Sequence, residues 1–295
     1  MRRYIIAPVF IPMAGCPHRC TYCNQAALHP RAPGLPTLQE IEEIADLYFG
    51  APSLPSSSQR STHNPQPIRQ IAFYGGSFSG LSRGEKTRLL QDAGGIVKAR
   101  GLDGVRVSTR PDLVTVDEAG FLAACGVRFC EVGAQSFDGE VLARAKRGHT
   151  GRDVGGAVRN LRAAGMGVSI HLMAGLPGAS PASDVESARR AADLGPDAVR
   201  IHPTLVLTGS ALEEEWRAGR YAPLTLDEAV ARCAAMMDVF AAASIPVIRV
   251  GLHGDDELVS GRALCAGPFH PNFRDLVVRR SGRTKAPPGA SAARG

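Results

Sequence analysis

Residues 16–23 read Cys16-Pro-His-Arg-Cys20-Thr-Tyr-Cys23, three thiols spaced C-x3-C-x2-C directly behind a short apolar run. Three cysteines this close can fill three corners of a cubane iron–sulfur cluster and leave the fourth iron open. Clusters that only carry electrons are mostly closed by four thiolates. An open iron binds a small molecule directly, so the missing ligand points to chemistry rather than electron storage. A structural zinc site competes with this; it wants four nitrogen or sulfur ligands, and His18, inside the loop, is a cramped fourth. Three cysteines with no common ligand are the remaining reading.

Outward from this loop, short apolar runs alternate with longer amphipathic ones, the βα pattern of a parallel sheet. Strands are expected at Tyr4–Ile11, Gln70–Tyr74, Val105–Ser108, Arg128–Val132, Gly167–Met173, Ala198–His202 and Pro246–Val250. Between them Thr37 caps a helix carrying Leu38, Ile41, Ile44, Ala45 and Tyr48 on one face. Further helices read as Arg83–Ala99, Asp117–Cys125, Arg152–Ala164, Pro181–Leu194 and Leu226–Ala243. Six or seven such units joined by right-handed crossovers curl into a barrel or part of one. The expected fold is therefore α/β, a partial (β/α)6-type TIM barrel with parallel strands and a short C-terminal extension. The barrel is expected over 1–250 and the extension, packed on it, over 251–280. The serine- and proline-rich stretch 51–67 reads as a flexible insertion, and 281–295, with Lys285-Ala-Pro-Pro-Gly, as a disordered tail.

At 295 residues the chain can bury one large core, and its 44% hydrophobic content is ordinary for a globular protein. No apolar run reaches membrane-spanning length, so no membrane partner is expected. The first residues are too short for a signal peptide. Seven cysteines, three of them clustered and the rest scattered, fit a reducing cytoplasm better than a disulfide framework. Cys125, Cys130, Cys233 and Cys265 read as small buried hydrophobes. The net charge of +6 is compatible with a nucleic-acid partner, but no basic run with interleaved aromatics accompanies it.

Parallel barrels keep their chemistry at the C-terminal ends of the strands, and the unusual residues fall there. Tyr74-Gly75-Gly76-Ser77-Phe78 follows the second strand, where paired glycines let the backbone approach a ligand. Ser108-Thr109-Arg110-Pro111-Asp112 follows the third, and Glu131-Val-Gly133-Ala-Gln135-Ser136 the fourth. His171-Leu-Met-Ala-Gly175-Leu-Pro177-Gly178 follows the fifth, and Arg200-Ile-His202-Pro203-Thr204 the sixth. Each string alone is more often a turn or a rim residue. One polar cluster per strand end at a single barrel mouth is a much rarer coincidence.

The cysteine triplet with Tyr22 beside its last member resembles the signature of the radical SAM enzymes, and Gly75-Gly76-Ser77 stands where that superfamily has a Gly-Gly-Glu-like motif. Phe73-Tyr-Gly-Gly-Ser-Phe, Ser108-Thr-Arg-Pro-Asp, Glu131-Val-Gly-Ala-Gln-Ser-Phe, Lys146-Arg-Gly-His-Thr and His171-Leu-Met-Ala-Gly-Leu-Pro-Gly look like the Elongator-protein-3-like branch. Arg200-Ile-His-Pro-Thr-Leu-Val-Leu and Ala266-Gly-Pro-Phe-His-Pro-Asn-Phe look like its short bacterial members. The resemblance covers roughly residues 4–280. Full-length Elongator enzymes space these cysteines more widely and carry a C-terminal acetyltransferase-like domain. Here the chain ends soon after the barrel, with no Arg-x-x-Gly-x-Gly/Ala string beyond residue 250, so their carboxymethylation activity is not expected to carry over whole.

The resemblance implies a [4Fe–4S] cluster on Cys16, Cys20 and Cys23 whose open iron binds S-adenosylmethionine. Reductive cleavage of that cofactor gives a 5′-deoxyadenosyl radical, with flavodoxin or ferredoxin as electron donor. By the same resemblance Gly75 and Gly76 meet the methionine amino group through their backbone carbonyls, Ser77 is a cofactor-binding residue beside them, and Ser108 meets the methionine portion or the ribose. Gln135 suits the ribose hydroxyls, and Arg147 the methionine carboxylate. Related porphyrinogen-oxidising enzymes have carboxylates where this chain has Ser108 and His171. Arg110, Arg200 and His202, with His171, suit cofactor or substrate equally. A tRNA base is the expected substrate, with Arg110 and Arg200 facing phosphates. A porphyrinogen-oxidase-like enzyme or haem chaperone is the alternative within the superfamily. A non-catalytic iron–sulfur RNA-binding or scaffold protein is the alternative outside it.

Overall fold

The computed structural model describes residues 4–30, 34–50, 66–252 and 256–283. Strand β1 (Tyr4–Phe10) leads through the cysteine loop into a one-turn helix α1 (Gln25–Leu28) and then α2 (Leu38–Phe49). The regular alternation follows: β2 (Ile68–Tyr74), α3 (Arg83–Arg100), β3 (Gly104–Thr109), α4 (Val116–Ala124), β4 (Val127–Gln135), α5 (Gly139–Arg144), α6 (Gly151–Ala163), β5 (Gly167–Ala174), α7 (Pro181–Asp193) and β6 (Ala198–Pro203). The chain continues with β7 (Val206–Leu207), α8 (Ala211–Arg217), α9 (Leu226–Ala242), β8 (Val247–Val250), α10 (Asp256–Val259), β9 (Leu264–Ala266) and α11 (Phe273–Arg283).

Seven strands form one parallel sheet in the order β1-β2-β3-β4-β5-β6-β8. Pro8 on β1 and Arg249 on β8 line the same cavity, so the sheet is curled; among the described residues β8 does not pair back onto β1. The result is the expected partial barrel. The antiparallel pair β7–β9 stands apart from it.

Local signals set the helix starts. Thr37, Ser82, Thr150 and Thr225 each begin a capping box, the hydroxyl accepting from the N3 amide while the N3 acid accepts from the cap amide. Such caps contribute about 1 kcal/mol each. The helix-facing side of the sheet is apolar: Val107, Val132, Ile170, Leu172 and Ile201 are fully buried against Leu89, Leu122, Leu161 and Met236 from the helices. Each such aliphatic side chain contributes roughly 1.5–3 kcal/mol by burial.

The seven strands of the parallel sheet lie within two residues of the expected ones except β4, which runs on to Gln135; β7 and β9 have no expected counterpart. The insertion expected at 51–67 lies mostly outside the described residues. Of the expected tail, Ser281–Arg283 are the last turn of α11, and the remainder is outside the described residues. That helix packs on α9 and β8, burying Phe273 and Val277 in the main core.

Candidate cofactor and substrate cavity

The cysteine loop is clamped backbone to backbone onto the turn after β2. The Met13 amide donates to the Gly75 carbonyl at 2.9 Å, and the Ser77 amide to the Ala14 carbonyl at 2.9 Å. Gly76 is what allows this contact: a Cβ there would sit 2.4 Å from the Ala14 oxygen and 2.6 Å from the Ile11 oxygen. The glycine pair therefore first serves the loop, and Gly75 also faces the cavity at φ +86°, where glycine pays no steric cost. On its far side the loop is fixed by Thr21 donating to the Ala145 carbonyl at 3.1 Å and by Leu212 donating to the Thr21 carbonyl at 2.7 Å.

One cavity of about 590 Å³ opens at the strand ends, within the usual range for ligand sites. Its lining includes Cys16, Cys20, Cys23, Gly75, Gly76, Ser108, Gln135, Arg147 and His171. It also includes Arg110, Arg200 and His202. Twelve of the thirteen residues singled out in the sequence thus share one space. Ser77 does not. It is buried, its hydroxyl 3.4 Å from that of Thr109 and accepting from the Arg110 amide at 3.3 Å. It latches two strand-end loops together instead of facing a ligand.

Burial, and then the charge of Cys20 and Cys16, pushes the Cys23 thiol up to about 12. Burial and Cys20 likewise raise Cys16. Three thiolates this close would repel one another, and an iron-bearing group among them would remove that cost. Among the described residues no three His, Cys, Asp or Glu side chains converge as ligands of a single ion would. Arg147 adds a cation to this donor set: its Nη1 donates to Cys20 Sγ at 3.2 Å and to the Tyr22 hydroxyl at 3.2 Å, and its Nη2 donates to the Gly133 carbonyl. Arg147 is thus tied to the cysteine loop, with only Nε lacking a partner. Its expected pairing with a methionine carboxylate would need that geometry to change.

Gln135 sits where β4 bulges against β5, at φ +67°. A non-glycine residue there is strained. The bulge is held by the His149 ring, 3.1 Å from the Ala134 carbonyl. The Gln135 side-chain oxygen is buried without a partner and the residue faces the cavity, so the strain aims an amide at a ligand position.

Deeper in the cavity lies a network that the sequence reading missed. Glu131 Oε1 accepts from Tyr74 Oη at 2.7 Å and from Arg106 Nη1 at 2.9 Å. Its Oε2 pairs with Arg200 Nη1 at 2.9 Å. Burial alone would raise the Glu131 carboxyl, but Arg200 and Arg106 hold it below the usual carboxylate range. Arg106 also donates twice to Gln70 Oε1, at 3.1 and 3.0 Å, and lies over the Phe129 ring. The sequence does carry a trace of this. Val105-Arg-Val-Ser, Cys130-Glu-Val-Gly, Ile170-His-Leu-Met, Val199-Arg-Ile-His and Ile248-Arg-Val alternate with period two.

Two expectations about phosphate contacts are corrected here. Arg200 is ion-paired to Glu131 inside the barrel. Arg110 is 4% exposed, donating to the Arg147 carbonyl and pairing with Asp112 at 3.1 Å. Both line the cavity, so each meets only a group that enters it.

A half-barrel with a thiol loop at its mouth and a polar interior defines a class of cofactor-dependent enzymes, and comparison supplies the family. Residues 10–191 match the Radical SAM superfamily model and residues 196–282 the Radical_SAM C-terminal domain. The chain belongs to the Radical SAM superfamily and is an enzyme. It is 27% identical over 230 residues to a tRNA uridine(34) acetyltransferase of Dehalococcoides mccartyi, covering 70% of this chain and 50% of that one. It is 31% identical over 183 residues to Elongator complex protein 3 of Homo sapiens, covering 60% and 32%. The chain thus spans half or less of the length of these relatives. The fold matches archaeal Elp3 of Methanocaldococcus infernus with a TM-score of 0.68 at 21% identity, over 96% of this chain and 64% of that one. No helix among the described residues is long and apolar enough to cross a membrane.

Proposed function

We propose that the chain binds a [4Fe–4S] cluster through Cys16, Cys20 and Cys23 and uses it with S-adenosylmethionine to modify a tRNA base. The observation that carries this reading is the opening of the three thiols and five strand-end clusters into one cavity. When bound, the cluster would pass one electron, supplied by a flavodoxin or ferredoxin, to the cofactor's sulfonium and release a 5′-deoxyadenosyl radical. The chain's own residues have separate tasks. Arg147 holds the Cys20 sulfur and brings positive charge beside it. Gln135, strained toward the cavity, suits ribose hydroxyls, since an amide both donates and accepts. Gly75 retains a carbonyl lone pair beyond the one Met13 uses, and Ser108 adds a hydroxyl on the same wall. The apolar helices outside the sheet exclude water from the reacting space.

The tRNA substrate rests on the relatives' names and on the net charge of +6. With Arg110 and Arg200 lining the cavity, contacts to the outer tRNA backbone belong to other basic residues. Anaerobic reconstitution should give about four irons per chain. Incubation with S-adenosylmethionine and dithionite should then yield 5′-deoxyadenosine, and Cys20→Ala should abolish both. A scaffold protein would make none. For the substrate, tRNA affinity should fall at least about tenfold between low and moderate salt, and the tRNA nucleosides of a deletion strain should lack one modification. Unchanged nucleosides would remove the tRNA assignment and leave the radical chemistry standing.

A further inference from the structure

We infer that the floor of the cavity is a binding site for an oxyanion, a carboxylate or phosphate borne by the substrate. Arg249 and Arg200 hold it, with His171 and His202 beside them. Assigning the anion to a substrate rests on the enzymatic reading above; the site itself stands on geometry.

Charge is the first reason. Arg106, Arg200 and Arg249 reach the barrel interior from β3, β6 and β8, and Glu131 is the carboxylate that answers them. Both Glu131 oxygens are already engaged, by Tyr74, Arg106 and Arg200. Arg249 stands opposite Arg200 in the strand register and lines the cavity. Among the described residues no carboxylate oxygen lies within ion-pair distance of it. Burial and then the Arg200 charge depress its guanidinium. A half-buried cation beside another cation, with one carboxylate shared among three, is costly unless something anionic arrives.

Unmet hydrogen-bonding capacity is the second reason. Arg200 Nε, His171 Nε2 and His202 Nε2 are all buried without partners. His202 is 6% exposed, and both rings face the cavity 4.3 Å apart. Buried polar groups in native proteins almost always have partners, so unmet ones converging on a cavity mark a ligand. Burial lowers both imidazoles and favours their neutral form, helped by Arg200 at His171 and by His171 and then Arg200 at His202. A neutral imidazole can offer an N–H to an oxyanion. A metal ion is excluded by the same charges that favour an anion. A guanidinium fork suits a carboxylate or phosphate in bidentate geometry.

Position is the third reason. The floor lies at mid-strand, at Glu131, His171 and Arg200, while the cysteine loop stands at the strand ends. An anion on the floor is therefore a contact separate from the one the cluster would organise. It would fix a small substrate or an inserted nucleotide from beneath.

The test uses the full chain with its cluster reconstituted anaerobically, titrated with acetate and succinate in one arm and inorganic phosphate and uridine monophosphate in the other. Calorimetry and thermal unfolding read binding directly. One arm should bind saturably and raise the unfolding temperature: the first assigns a carboxylate, the second a nucleotide phosphate. Arg249→Gln should weaken that binding at least about tenfold, and Arg249→Lys should fall between, keeping charge but losing the fork. The surface change Arg189→Gln should leave it within twofold. Without any anion, Arg249→Gln should unfold no earlier than the parent, since it removes an uncompensated cation. Parent-like binding by Arg249→Gln, or binding in neither arm, overturns the proposal. So does loss of both arms when S-adenosylmethionine is added, which would make the anion the cofactor's own. A cluster that fails to assemble is seen separately in its absorption and counts against the enzymatic reading, while the titrations still decide the site.

Discussion

The two faces of the central sheet are chemically opposite, the outer one dry and the inner one lining a cavity. Toward the helices it presents Val107, Val132, Ile170, Leu172 and Ile201, which pack without polar contacts. One residue along each strand, toward the cavity, it presents Ser108, Glu131, His171 and Arg200. The outer face holds the fold together by area, and its contributions are many and interchangeable. The inner face holds a few charges in fixed relation, where each depends on its neighbour and the balance is positive. Stability and chemistry are thus divided between alternate residues of the same strands.

The largest effect should come from breaking the inner face at its centre. Glu131→Gln leaves Arg106 and Arg200 without their shared carboxylate. It should cost about 3–5 kcal/mol, as removing one partner of a buried pair does. Denaturant unfolding measures it, and a loss below about 1 kcal/mol would mean that the network is not a unit. On the outer face, Leu172→Ala should cost about 2–4 kcal/mol by cavity formation, yet leave cluster loading, read by iron content, at the parent level. If loading fell with stability, the division between the faces would be wrong.

Acid should act on the inner face as well. His171 is held neutral, its pKa lowered to about 3 by burial and then by Arg200, and His202 is lowered in the same way. Both folded values lie below the unfolded one near 6.5, so below that pH the unfolded chain binds protons that the folded chain refuses. Stability is full above about pH 6.5 and falls as pH drops from there toward 3. Between pH 7 and 5 the loss should be about 2 kcal/mol per histidine. His171→Asn should remove its share of that slope, and an unchanged slope would show that its ring is not buried neutral. The smallest effect belongs to the periphery. Thr37→Ala breaks one capping box and should cost about 1 kcal/mol with no change in cluster loading.

Much of the site was legible in advance because its parts are contiguous. The three cysteines lie within eight residues, the glycine pair adjoins a strand end, and Gln135 and Arg147 sit in strings whose family likeness does not depend on packing. The strands and helix starts were legible for the same reason, since period two, period 3.6 and Thr or Ser followed by an N3 acid are local patterns. Arg106, Glu131 and Arg249 were not singled out, although they occupy alternate places in readable strands. Arg110 and Arg200 were expected to face phosphates and instead serve contacts within the barrel.

Sequence alone therefore determined the order of strands and helices, the cysteine loop and the superfamily, all of which are written in spacing along the chain. Tertiary structure decided which of each strand's two faces looks inward, and with it the meaning of every charged residue there. The physical reason is the curl. Both faces of this sheet are covered, one by helices and one by the curl itself, so alternation marks two sides without saying which one encloses a cavity. Only closing β1 toward β8 sets Tyr74, Glu131, Arg200 and Arg249 around a shared space. Ser77 shows the same rule in reverse: it stands beside two glycines that line the cavity, and the turn of its backbone sends its hydroxyl to Thr109 and the Arg110 amide instead.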